Sequence, residues 1–123
     1  MIGVAKEILS EGRILLPKKV ITSKTFEGEN IQEKFIEEIE NDDMILDLCI
    51  EKDIYEILAS SKTILWNGPM GVFENKLFEK GTKDISEAIA KSDAFSIAGG
   101  GETLSAINKY CLLYTSDAAD EED

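Results

Sequence analysis

Two glycine-bearing turns hold the residue types best suited to chemistry. The first is Gly99-Gly100-Gly101-Glu102-Thr103. Glycines let backbone N–H groups approach a phosphate closely, and a helix starting there adds a field that favours an anion. Thr103 adds a hydroxyl donor. Glu102 adds a carboxylate, which repels a phosphate unless a cation lies between them. The pair therefore points to Mg²⁺ shared by Glu102 and a phosphate oxygen. An alternative needs no ligand: a glycine turn followed by an acid that suits the helix dipole. The triplet alone leans to that alternative. It is neither a Walker A sequence, since no Gly-Lys-Ser/Thr follows, nor a GxGxxG fingerprint.

The second turn is Trp66-Asn67-Gly68-Pro69-Met70-Gly71-Val72-Phe73-Glu74. Asn67 could donate to a phosphate, with Gly68 leaving room beside it. Pro69 and Val72 could wall a flat base, and Glu74 could accept hydrogen bonds from sugar hydroxyls. A tight loop with Trp66 and Phe73 as core anchors accounts for the same residues without a ligand. The chemistry alone leaves these two readings even.

The elements that must position the turns alternate short apolar runs with amphipathic stretches. Val4 to Glu11 has helical spacing and ends at Gly12. Ile14 to Leu16 is a short apolar run broken by Pro17, and Val20-Ile21 suggests a further strand. Between residues 23 and 43, Ile31, Phe35, Ile36 and Ile39 fit a helical stripe better than a strand. Met44 to Leu48 reads as a buried strand. Asp53 to Ser60 is a helix with Ile54, Ile57 and Leu58 on one face. Thr63 to Trp66 is a strand, and Thr82 is an expected N-cap for a helix carrying Ile85, Ala88 and Ile89. Ala94 to Ala98 is a strand, followed by a helix from Glu102 to Tyr110 with Leu104 and Ile107 facing inward. From Met44 onward the order is strand, helix, strand, helix, strand, helix. That order predicts an α/β fold, a parallel Rossmann-like sheet with crossover helices. Ligands of such sheets sit outside the carboxyl ends of the strands, where both turns fall.

Composition narrows the function classes. Of 123 residues, 43% are hydrophobic and 31% charged, as in a globular chain. The formal net charge of -12 disfavours nucleic acid and anionic membranes as partners. Five of the 25 acids lie in the last seven residues; without them 20 acids face 13 bases, a common surface balance. No apolar stretch nears the roughly 20 residues of a membrane span, and no secretory signal opens the chain. A cytoplasmic location is the expectation. Two cysteines, Cys49 and Cys111, are too few for a disulfide framework, and Cys49 is expected to be a buried thiol. With no histidine in the chain, a Ser-His-Asp or Cys-His unit within it is excluded, as are most zinc sites.

The run Ile64 to Glu74 is similar to the signature of the phosphoglycerate kinase family. Phe78, Gly81-Thr82 and the Gly99 to Thr103 turn follow at that family's spacing, and Ala5 to Leu9 and Ile14 to Pro17 resemble it more weakly. The resemblance implies the nucleotide-binding half of that kinase, with 1–110 as part of a three-layer domain. It places Asn67, Gly68, Gly99, Gly100, Gly101 and Thr103 near the phosphates of ATP or ADP. Pro69 and Val72 border adenine and ribose, Glu74 holds the ribose hydroxyls, and Glu102 takes the Mg²⁺ position. The family usually has aspartate where Glu102 stands, and Gly-Pro where Cys49-Ile50 follows Asp47-Leu48.

The family's reaction passes a phosphoryl group between 1,3-bisphosphoglycerate and ADP in glycolysis. The resemblance assigns the 3-phosphoglycerate pocket to an N-terminal domain, phosphate-contacting lysines to an upstream segment, and a second glycine-rich loop to a downstream one. No catalytic residue is thus assigned within this chain, and the parent is expected to be monomeric. Met1 falls where the family has mid-domain helix, so it is expected to be an internal methionine. Residues from Cys111 resemble a translated sequencing adapter, making 111–123 an expected non-native acidic tail. A sheet missing flanking strands is expected to be marginally stable or to aggregate. Two other readings stay open: a non-catalytic adenine-nucleotide-binding module, and a structural α/β domain whose glycines are only turns.

Overall fold

The computed structural model describes residues 1–110, so the expected tail at 111–123, with Cys111, lies outside the described residues. Eleven elements follow in order: α1 (Ile2–Ser10), β1 (Lys19–Ser23), β2 (Gln32–Phe35), a 3-10 turn (Ile36–Glu38), β3 (Met44–Leu48), α2 (Lys52–Ser60), β4 (Thr63–Trp66), a second 3-10 turn (Lys76–Phe78), α3 (Lys80–Lys91), β5 (Phe95–Ala98) and α4 (Gly101–Tyr110). The α/β class matches the expectation. Strands β4 and β5 are parallel neighbours joined through α3, in the register Thr63 with Phe95 and Trp66 with Ala98.

Strand β3 corrects the expectation of one parallel sheet. It pairs antiparallel with β1 in a separate sheet of order β2-β1-β3. One flank of β3 is occupied by β1. On the loop side, Val72 N–H donates to Leu46 O at 3.0 Å, so the turn after β4 lies where a parallel strand would have to bond.

The helical stripe read between residues 23 and 43 is also corrected. Gly28 (φ 103°) and Asn30 (φ 54°) reverse the chain, and β2 then pairs antiparallel with β1, Lys19 opposite Phe35 and Thr22 opposite Gln32. Ser23 Oγ accepts from the N–H groups of Thr25 and Glu29, which closes the connection locally. Ile31 and Phe35 are exposed. Ile14 to Leu16 is not a strand, and its side chains are exposed. Helix α1 ends before Gly12 as expected, and none of its residues is buried.

The core joins the helices to one face of β4. Trp66, Phe73, Ile85 and Ala106 form its centre, with Ile54, Leu58, Met70, Ile89, Ile107 and Tyr110 packed around them. Phe78 is fully buried beside it in sequence; burying such a side chain contributes roughly 1.5–3 kcal/mol. Two inward faces differ from expectation. Ile57 and Leu104 are exposed. On α4 the inward row is Thr103, Ala106, Ile107 and Tyr110, a helical i, i+3, i+4, i+7 stripe. Its start is set by Thr103, whose hydroxyl has a partner across the fold. The other face of the β4–β5 sheet is open: Leu65 is 70% and Phe95 61% exposed, with Ile97 beside them.

Two carboxylates fix the frame, with opposite electrostatics. Asp43, its side chain 1% exposed, accepts from Lys24 Nζ at 2.8 Å and Lys34 Nζ at 2.7 Å, and from Glu40 N–H at 2.8 Å. These lysines hold its carboxyl well below the usual carboxylate range. Asp47 on β3 is buried, and desolvation pushes its pKa up despite two backbone donors, Gly81 N–H on Oδ2 (3.0 Å) and Leu48 N–H on Oδ1 (2.9 Å). Glycines make this fit possible. A Cβ on Gly71 would lie 2.5 Å from Leu46 O and 2.6 Å from Asp47 Oδ1, and one on Gly81 would meet Asp47 Oδ1 and Leu48 O.

Two outcomes follow from this frame. Gly71→Ala should destabilise the fold by about 1–3 kcal/mol, because the atom it strikes is a backbone oxygen that cannot swing aside; chemical denaturation measures this. The depressed Asp43 pKa contributes stability that is present above the ordinary value of 3.8 and lost as pH falls through the folded value. Asp47, with a raised pKa, works the other way, favouring the fold below its ordinary value and losing that contribution as pH rises through the folded value. Melting temperature should therefore drop below about pH 4 in the wild type. In Asp43→Asn it should be lower at neutral pH, and its acid dependence should be blunted.

Candidate functional site

Parallel pairing of β4 with β5 puts the turns that leave them on one rim. Gly99 N–H donates to Trp66 O at 3.0 Å, extending the ladder one residue past the strands. Beyond that point the turns are joined by a side chain: Gly68 N–H donates to Thr103 Oγ1 at 2.7 Å. Each turn has one glycine in the left-handed region, Gly68 at φ 125° and Gly100 at φ 89°, a conformation strained for residues with a Cβ. Asn67, on the exposed side, lies over the triglycine turn; its Oδ1 would be 3.5 Å from a Cβ on Gly99 and 3.6 Å from one on Gly100.

The start of α4 presents donors. Leu104 N–H donates to Gly100 O at 3.1 Å as the helix opens, and the N–H groups of Gly101, Glu102 and Thr103 come before any acceptor in their own helix. A Cβ on Gly68 or Gly101 would meet nothing within 4 Å, so the backbone there faces open space. Glu102 is exposed in the first turn of α4, and no lysine or arginine among the described residues pairs with it. Backbone donors beside an unpaired carboxylate fit a phosphate joined to a hard cation such as Mg²⁺. Thr103 sits differently from the donor role foreseen for it: its side chain is buried, and its hydroxyl accepts from Gly68.

The rest of the Asn67 to Glu74 turn is stitched inward. Trp66 Nε1–H donates to Gly68 O at 2.8 Å. Met70 and Gly71 N–H groups donate to Thr82 Oγ1 at 3.1 and 3.3 Å. Pro69 and Val72 are half-buried, and Glu74 is exposed after the buried Phe73. Trp66 and Phe73 are core anchors. Phe73 meets Tyr110 edge-on, at 6.2 Å between ring centroids. Lys109 Nζ donates to Phe73 O at 3.2 Å, and Tyr110 OH donates to Glu79 Oε1 at 3.0 Å. Burial and the Glu79 carboxylate push the Tyr110 phenol up. This network closes the end of α4 over the turn.

Sequence reasoning missed Asp47 and misassigned Thr82. Helix α3 begins at Lys80, two residues before Thr82, and its Gly81 N–H finds its acceptor in Asp47 across the fold. Thr82 is therefore not the N-cap, and its hydroxyl serves the turn instead. The signal was the glycine before it, whose missing Cβ admits Asp47. Cys49 is half-buried, with Sγ 3.7 Å from Glu33 Oε1, and both burial and the Glu33 charge raise its pKa. The carboxylates of Glu40, Asp42 and Asp43 lie within 4.8 Å of one another. Lys24 and Lys34 already occupy that cluster, with contacts of 2.9 Å to Asp42 and 3.0 Å to Glu40. No helix among the described residues is long and apolar enough to cross a membrane.

Comparisons with known proteins point to one family. The phosphoglycerate kinase family model matches residues 1–117. A phosphoglycerate kinase of Vibrio campbellii is 49% identical over 113 residues, which cover 89% of this chain and 29% of that protein. The structure of phosphoglycerate kinase from Coxiella burnetii aligns with a TM-score of 0.75 at 35% identity, over 87% of this chain and 29% of that one. The enzyme from Pyrococcus horikoshii aligns with a TM-score of 0.68 at 36% identity, over 88% of this chain and 28% of that one. The chain thus spans less than a third of the relatives it matches. With residues 1–117 matched by the family model and the fold shared with its solved members, this chain belongs to the phosphoglycerate kinase family.

Proposed function

We propose that this chain supplies part of the magnesium-nucleotide site of a cytoplasmic kinase that passes a phosphoryl group between 1,3-bisphosphoglycerate and ADP. The observation that carries this reading is the meeting of two glycine turns on one rim, joined from Gly68 to Thr103 and open on the side of the α4 amides. ATP or ADP phosphates would accept from the amides at Gly100, Gly101, Glu102 and Thr103, and from Asn67. Pro69 and Val72 would border the base and Glu74 would hold the ribose hydroxyls. Glu102 would hold Mg²⁺, which when bound neutralises phosphate charge.

Phosphoryl transfer of this kind needs no general base, because both nucleophiles, a carboxylate and a diphosphate oxygen, are anionic at neutral pH. The work left to the protein is alignment and charge stabilisation. A turn held by acceptors from neighbouring elements suits that work, and a chain without histidine is no obstacle to it. The 3-phosphoglycerate pocket is assigned to a domain outside this chain.

Calorimetric titration of the chain with MgADP should show saturable binding. Glu102→Gln should weaken the MgADP complex about tenfold, the scale of one charge-assisted contact, while ADP binding in EDTA, relieved of a like charge, should stay the same or tighten. No heat with MgADP, or equal loss with and without metal, overturns the reading. Mixed with both substrates, the chain alone should give no turnover in a coupled assay; measurable phosphoryl transfer would contradict the assignment of the acid-binding pocket elsewhere.

A further inference from the structure

We propose that Thr82 is a positioning residue, which holds the Asn67–Gly71 turn in the shape that receives the nucleotide. The inference rests on the nucleotide reading above but uses different atoms. Thr82 lies in α3, is fully buried, and belongs to neither turn. Its hydroxyl oxygen accepts from two successive amides, Met70 N–H and Gly71 N–H. A hydroxyl can do this because it offers two lone pairs to converging donors. A methyl in its place would leave two amides of a tight turn without their acceptor.

The turn has few other ways to hold itself. Asn67 and Gly68 leave β4 with Gly68 in the left-handed region. Gly68 is then gripped from both sides, its N–H by Thr103 and its O by the indole of Trp66. At the far end, Gly71 is pressed against Leu46 and Asp47 with no space for a side chain. Thr82 is the side-chain grip between those ends. Losing it would free the stretch between those ends at Met70, and Asn67 would lose the angle at which it faces the α4 amides. Thr82 would touch no ligand; it acts through the turn.

The chain's single tryptophan is a built-in reporter, since Trp66 bonds to the turn itself. Thr82→Val and Thr82→Ser should be compared with wild type by MgADP titration, Trp66 emission and far-ultraviolet circular dichroism. In Thr82→Val, MgADP affinity should fall roughly tenfold, the scale of a lost hydrogen bond. Trp66 emission should shift while helix content stays constant, and Thr82→Ser should restore both. Wild-type affinity and emission in Thr82→Val would overturn the proposal, as would equal loss in both variants, which would show that the hydroxyl is not what holds the turn. Should Thr82→Val not fold, amide hydrogen exchange in the unaltered chain decides. Met70 and Gly71 amides should be protected relative to free peptide, and exchange at the free-peptide rate overturns the grip. No MgADP heat in wild type, together with the emission shift in Thr82→Val and its rescue in Thr82→Ser, would remove the nucleotide reading while retaining the grip.

Discussion

A turn leaving the end of a parallel strand has backbone N–H groups and no ladder to put them in, and this structure depends on how that need is met. Burying an amide without an acceptor costs about 1–3 kcal/mol, so a tight glycine turn holds its shape only when acceptors come from elsewhere. Here they come from three elements. Thr103 on α4 takes Gly68, Thr82 on α3 takes Met70 and Gly71, and Leu46 O on β3 takes Val72. Each bond also locates one element against the others. The turn is therefore both a candidate ligand surface and the joint between β3, α3 and α4.

Asp47 is the companion constraint. An ionised carboxylate removed from water is unfavourable, and the raised pKa records that. Its position is defined by donors at the start of α3 and by two glycines that admit it. Fixing Asp47 fixes where α3 begins, and hence which face of α3 carries Thr82 to the turn. The antiparallel sheet thus bears on the rim through the Asp47 side chain and the Leu46 carbonyl, although β3 does not join β4 in a ladder. Asp43 at the far end of that sheet belongs to the opposite regime, since two lysines surround it and its ionisation supports the fold.

Much of this was legible in the sequence where local signals were strong. The strands at Met44, Thr63 and Phe95, the helices that follow them, and the shared rim of the two turns come from apolar runs broken by glycines. Less legible were features decided by partners distant in the chain. Residues 31 to 39 have the spacing of a helix, yet Gly28, Asn30 and the free edge of β1 made strand the better outcome. Thr82 has the chemistry of an N-cap, yet an acceptor 35 residues earlier took that duty. Leu104 is more apolar than Thr103, but Thr103 faces inward because its hydroxyl has an amide to bind. A stripe read from hydropathy gives such a residue no weight, since it scores carbon and not hydrogen-bond demand.

The electrostatics of the rim bear on the choice of ligand. The chain is acidic overall, and the exposed carboxylates Glu74 and Glu102 follow the two turns. Long-range attraction cannot bring an anion to such a surface, since screening confines each charge to about 8–10 Å. Attraction must be local, from amide dipoles within hydrogen-bond reach at the start of α4. Those dipoles favour negative charge, while Glu102 in the same helical turn opposes it. A bare phosphate would meet both forces at once. A phosphate carrying its own divalent cation would meet the amides with its oxygens and the carboxylate with its metal, so both signs would find partners. On this reading Glu102 selects for the metal complex over the free nucleotide, and the glycine turn supplies the shape in which that selection is made.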